Sequence, residues 1–204
     1  MLVVIIIGLV LAVIFVAAIV LSKRRQAISY ERGVKMAPML IHLPPTTDDI
    51  NGGGRDERDV TNEALSQAQV MYSIISSTLT KGMSSRIYGQ QHISFEIIAA
   101  GGLIKYYAVV PLAMTETVKQ AIISAYPSAR LEETEPDSIF SEDASVTKIA
   151  GGEMRLKNDF VLPISTYEDG KRDASLAMLN AMSGTKEGEG LALQVIFRPT
   201  DGSW

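Results

Sequence analysis

Residues 93–111 read ISFEIIAAGGLIKYYAVVP, and this stretch decides the fold. Ile93, Phe95 and Ile97 alternate with Ser94, Glu96 and Ile98; Ile104, Tyr106, Ala108 and Val110 then share one face. A period of two marks β-strands, and Ala99-Ala100-Gly101-Gly102 between the two runs marks a tight hairpin turn. A short hairpin is not stable alone, so the flanking sequence must supply a layer to cover it.

Working outward, the period changes to that of a helix on both sides. Upstream, Ala64, Ala68, Met71, Ile75 and Leu79 recur at helical spacing, with Leu65 and Ile74 widening the stripe. Thr61 is the expected cap of this helix and Gly82 its expected end. Downstream, Pro111 closes the second strand and opens a helix with Val118, Ala121, Ile122 and Ala125 on one side. Tyr126-Pro127 stops it, and residues 129–133 (ARLEE) suit a strand. Upstream again, residues 36–43 (MAPMLIHL) form an apolar strand stopped by Pro44-Pro45. The segment 46–59, with Gly52-Gly53-Gly54 and mixed charge, reads as an exposed linker.

The order from Met36 is therefore β-α-β-β-α-β around a tight central hairpin. That is the split βαβ arrangement of a ferredoxin-like fold, an antiparallel sheet with both helices on one face. The fold class expected is α+β, with this unit spanning residues 36–135. An acidic stretch, 136–145, is expected to link it to residues 146–204. There a strand over 146–157, a further segment over 159–166, a helix over 173–182 and a strand over 191–197 make a second, partial βαβ unit. A different parse, running from strand 103–110 to strand 190–198, spells the same six-element order. The tight hairpin favours the first.

The chain begins differently. Met1 to Leu21 carries no charged side chain, and Ser22-Lys23-Arg24-Arg25 follows at once. Twenty-one helical residues rise about 31 Å, the thickness of a bilayer hydrocarbon core. A cleaved signal would have a basic start and a shorter apolar run. Residues 1–22 are thus expected to span a membrane, and 23–35 to form a basic juxtamembrane linker. Lys23, Arg24 and Arg25 are the expected topology determinants, placing the N-terminus outside and the body in the cytoplasm. Gly8 and Ala12 would let two such helices approach, leaving a homo-oligomer open, although incidental lipid contact is the plainer reading.

Composition excludes several chemistries. The 204 residues include no cysteine, so disulfides, thiolate nucleophiles, iron–sulfur clusters and cysteine zinc sites are ruled out. His42 and His92 are the two histidines, each at a strand end without a ligand partner at useful spacing. With 23 acidic and 19 basic side chains the net charge is -4, which counsels against nucleic acid as the main partner. No phosphate-binding loop, nucleophile elbow or HExxH motif occurs. The acidic residues Glu132, Glu133, Glu135, Asp137, Glu142 and Asp143 lack calcium-loop spacing and read as solvated surface. Tyr106-Tyr107 lacks the basic, glycine-flanked setting of a base-stacking platform, and alternation buries one of the two. No catalytic, cofactor-binding or metal residue is expected, and no cofactor.

Five phrases occur in order: 92–99 (HISFEIIA), 106–111 (YYAVVP), 126–133 (YPSARLEE), 161–167 (VLPISTY) and 187–199 (EGEGLALQVIFRP). Together they resemble the amino-terminal region of membrane-anchored bacterial ATPases related to type IV secretion and conjugative DNA-transfer proteins. In that family a transmembrane helix leads into an α+β region and a motor domain follows. The resemblance covers about residues 36–204, and no nucleotide-binding residue carries over, because the motor would start after Pro199. It implies the front end of such a protein. The expected function is a non-enzymatic, single-pass anchor and assembly module of a type IV secretion-like or DNA-translocation machine. Its expected partners are the lipid bilayer and proteins of the complex, an ATPase among them. The rival functions are a nucleic-acid-guiding module for a partner ATPase and an enzyme built on the acidic stretch.

Overall fold

A computed structural model describes residues 1–42, 57–135, 148–158 and 174–200 of the chain. The first element, α1 (Leu2–Val34), is one unbroken helix of 33 residues, about 50 Å long. None of its residues is buried, and it is long and apolar enough to cross a membrane. The helix does not stop at residue 22. Residues 23–34, expected as a linker, continue it, because this segment holds neither proline nor a helix-breaking pair. Glu31 and Lys35 pair at 2.6 Å across its last turn.

The remaining elements are β1 (Met36–His42), α2 (Glu57–Ser76), α3 (Met83–Tyr88), β2 (Ile93–Ala100), β3 (Leu103–Pro111), α4 (Thr115–Ala125), β4 (Arg130–Glu133), α5 (Ala174–Ser183) and β5 (Gly190–Phe197). A short 3-10 turn, Leu112–Met114, joins β3 to α4. The strands form one antiparallel sheet in the order β4-β1-β3-β2-β5. The β2–β3 loop is Gly101-Gly102, with φ of 56° and 77°. Two successive positive φ values make the turn that matches strand twist, and glycine adopts them without a Cβ penalty.

The register puts Met39 opposite Ala108, and Ala37 opposite Val110. This face meets Met71 and Ile75 of α2 and Val118, Ala121, Ile122 and Ala125 of α4. Met39, Ala108, Val110, Val118 and Ala121 are fully buried there. Tyr107 and Ile98, which alternation places on the other face, are buried too, while Tyr106 is half-buried. α5 lies against β3, with its Met182 buried.

Several expectations need correction. Thr61 does not cap α2, because the helix already runs from Glu57. Gly82 does not end it either: α2 stops at Ser76, and Gly82 precedes α3, a helix not expected from the sequence. α3 is six residues long, too short for an amphipathic stripe to declare itself. The expected strand over 146–157 is absent from its described residues, 148–157, and Ile149, Met154 and Leu156 are exposed there. No partial second sheet is seen among the described residues. β5 instead extends the first sheet, pairing with β2 along its full length from Ile93↔Phe197 to Ala100↔Gly190. The reason is that a two-stranded remnant buries too little apolar surface, whereas β2 offers an edge of equal length. Of the linker expected over 46–59, residues 57–59 belong to α2; its remainder, the linker at 136–145 and the segment expected at 159–166 lie outside the described residues.

Candidate functional site

The two rims of the sheet are built from different chemistry. β4 is four residues long and reads Arg130-Leu131-Glu132-Glu133. Its charges are tied down: Glu132 pairs with His42 at 3.0 Å, and Glu133 pairs with Lys119 of α4. Lys119 also reaches Glu116 at 3.3 Å, and these carboxylates hold its ammonium above the ordinary lysine range. Short length and charge are the usual means of blunting an edge strand.

β5 is eight residues long, reads GLALQVIF and carries no charge. At about 3.4 Å per residue its ladder edge runs about 27 Å. One side of that ladder is filled by β2, and the other is unpaired among the described residues. Leu191, Val195 and Ile196 remain 42%, 44% and 54% exposed, which is unusual for large apolar groups in a sheet. The strand is nonetheless firmly placed. Gln194 Nε2 donates to Glu96 Oε1 at 2.6 Å, and Ser94 Oγ donates to the same oxygen at 2.7 Å. Phe197 stacks against Tyr72 and Phe95 with ring centroids 5.2 and 5.8 Å apart.

Beside β5, on the face that carries α2 and α4, lies a cavity of about 350 Å³. Val195, Phe95, Ile97, Tyr106, Met71 and Tyr126 are among its walls. Burial pushes the phenol of Tyr126 above its usual range. Tyr72 shifts the same way, through burial and then through the nearby Tyr126. Both stay neutral at physiological pH; the cavity walls are mostly apolar, with Glu96, held by Ser94 and Gln194, the charged residue among them. An uncharged edge beside an apolar pocket is the arrangement by which a sheet takes up an added strand: backbone groups supply affinity and the pocket selects a side chain.

The residues expected to set topology, Lys23, Arg24 and Arg25, are exposed on α1. The structure does not bring them to the β5 edge. Arg32, further along the same helix, docks it to the body. Its Nη1 donates to the carbonyls of Tyr88 at 2.9 Å and Gly89 at 3.0 Å, where α3 ends. A guanidinium suits that position, because the last carbonyls of a helix have no internal partners. Sequence reading missed this contact, as well as the cavity; only Lys and Arg near a helix terminus hinted at the first. It also left His42 without a partner, since Glu132 lies ninety residues away and arrives through strand pairing. Of the acidic stretch, Asp137, Glu142 and Asp143 lie outside the described residues. No group of three His, Asp or Glu side chains able to hold a metal occurs among the described residues.

Neither a curated protein nor a solved structure matches the chain. A family match does exist; it begins in α2 and runs through β5, leaving α1 and the inner strand β1 outside it. Over residues 58–204 the chain matches, and so belongs to, the family described as Domain of unknown function (DUF8128).

Proposed function

We propose that this protein is a non-enzymatic, single-pass membrane module that recruits a neighbouring protein chain by strand addition at β5. The observation that carries the reading is the contrast between an uncharged, eight-residue edge, unpaired among the described residues, and a four-residue charged one. α1 anchors the module, and Lys23, Arg24 and Arg25 favour an N-terminus outside and a body in the cytoplasm. The strand order β4-β1-β3-β2, with α2 and α4 over one face, supports reading residues 36–135 as a ferredoxin-like split βαβ. A type IV secretion-like or DNA-translocation setting rests on the resemblance of the sequence phrases alone.

Site-specific photo-crosslinking of the full-length chain in its native membrane tests the proposal. A benzophenone amino acid at Ala192, exposed on β5, is expected to give a discrete protein adduct. The same group at Glu132 on β4 is expected to give none. Equal labelling at both edges, or none at Ala192, would sink the idea.

A further inference from the structure

The end of the body nearest α1 is a cationic surface, and its cations come from distant parts of the chain. β1 starts, β3 ends and β5 ends at this pole, where Met36 pairs with Pro111 and Phe197 pairs with Ile93. Lys81 lies just before α3 and Arg86 in its last turn, and Arg198 directly follows β5. A cleft lined by Lys81, Ser85, Arg86, Gln90, Pro199 and Thr200 brings the two segments together. The Gln90 side chain fixes the loop: Nε2 donates to the carbonyl of Thr80 at 2.7 Å, and Oε1 accepts from its N–H at 3.1 Å. Arg198 and Arg32 lie close enough to His92 that, after burial, their charges press its imidazole below the ordinary range.

Lys81, Arg86 and Arg198 are exposed and form no ion pair with a described residue. The described acids at this pole are already engaged, Glu31 with Lys35 and Glu116 with Lys119. Three cations without an ionic partner among the described residues repel one another on one small surface, and an anionic partner relieves that repulsion.

α1 decides which partner this surface meets. If Leu21 marks the end of the apolar run, Ile28 stands seven residues further, about 10 Å along the helix axis. Ile28 and Arg32 are the residues of α1 that the body partly covers, so the body begins there. Headgroups occupy roughly 5–7 Å beyond the hydrocarbon on each side. The gap left is a few ångströms, inside the Debye length of about 8 Å at physiological ionic strength. The geometry points to an anionic lipid surface as the ligand of this pole: Lys81, Arg86 and Arg198 rest on headgroup phosphates and hold the body against the bilayer. The inference rests on α1 spanning the membrane.

A chain without cysteine allows clean single-site labelling. Full-length protein carrying Met83→Cys, labelled with a fluorophore, is reconstituted into vesicles doped with a headgroup-bound quencher. Met83 begins α3 and is 72% exposed; a second labelled variant, Leu103→Cys, marks the opposite pole at 65% exposure. Quenching of the Met83 label is expected in phosphatidylcholine vesicles rich in phosphatidylglycerol and not in phosphatidylcholine alone. It is expected to vanish at about 1 M salt, where the Debye length is about 3 Å. K81E/R86E/R198E is expected to shift the docked-to-free ratio by at least about a hundredfold, from roughly fivefold per lost cation before the repulsion of the three added carboxylates. The label at position 103 should stay unquenched throughout.

Quenching that ignores lipid charge and salt, no quenching at all, or a charge-reversed variant indistinguishable from the parent each overturns the proposal. The lipid and salt arms need no charge variant, so the test stands whether or not that variant folds. A wash of the same vesicles separates the premise from the inference. Release of the chain by about 1 M salt overturns the span reading and the docking with it. Retention with an unquenched Met83 label overturns the docking alone.

Discussion

The two edge strands of this sheet face the same hazard, unpaired backbone groups, and meet it in opposite ways. β4 has three charged residues in four and is pinned by His42–Glu132 and Lys119–Glu133. β5 has none in eight and leaves Leu191, Val195 and Ile196 exposed beside an apolar cavity. On the proposed reading, a sheet protected on one side and unpaired among the described residues on the other has a direction of growth. Closure of both edges would be expected of a protein that works alone.

The comparison breaks most readily if the sheet itself fails, so the largest effect belongs to the core beneath both edges. Ile122→Ala on α4 removes a side chain 2% exposed and should cost about 2–5 kcal/mol. Thermal melting of the solubilised chain measures it, and a cost below about 1 kcal/mol would mean that α4 does not seal the sheet. Next in size is the open edge. Val195→Lys with Ile196→Lys should lower the yield of the Ala192 adduct by about tenfold or more, since inward or edge lysines block strand addition. Both residues are well exposed, so melting should move by no more than about 0.5 kcal/mol. Loss of the adduct accompanied by a large loss of stability would point to unfolding rather than to a blocked edge.

A pH series sharpens the picture at the pole next to β2 and β5. His92 is held below its ordinary value of 6.5 by burial first, then by Arg198 and Arg32. The unfolded chain therefore binds the proton more readily, and stability falls as pH drops through and below 6.5. His92→Gln should flatten that part of the stability profile; an unchanged acid limb would exclude His92 as its source. The smallest effect is expected at the closed edge. Lys119→Met frees Glu133, and amide exchange at Leu131–Glu133 should quicken with little change in melting, as for other exposed pairs. The Ala192 adduct should be unaffected, because the two edges are separated by three strands.

The local features were legible along the chain. Alternation in Ile93–Val110 and the Gly101-Gly102 pair specify the hairpin, and the two strands pair around a turn in which both glycines take positive φ. The stripe of Val118, Ala121, Ile122 and Ala125 specifies α4, and all four are buried. The charge-free run to Leu21 specifies a helix able to cross a membrane. Such signals are short-range, carried by residues a few positions apart, so one sequence window contains the whole cause.

Four features depended on tertiary structure. Periodicity declares Leu191–Phe197 a strand but not its neighbour, and pairing with β2 across ninety or more residues turned an expected second unit into a fifth strand. The same pairing left the far side of β5 without a partner among the described residues. Arg32 could be read as one more juxtamembrane cation until α3 presented its terminal carbonyls. The cationic pole joins residues 81, 86 and 198, which no window holds together. The physical reason is common to all four: which backbone groups find partners, and which charges lack them, is settled by chain closure over long separations. Sequence by itself determined most of the elements, among them a helix long and apolar enough to cross a membrane; the folded chain decided which strands pair and which residues gather at the end nearest α1.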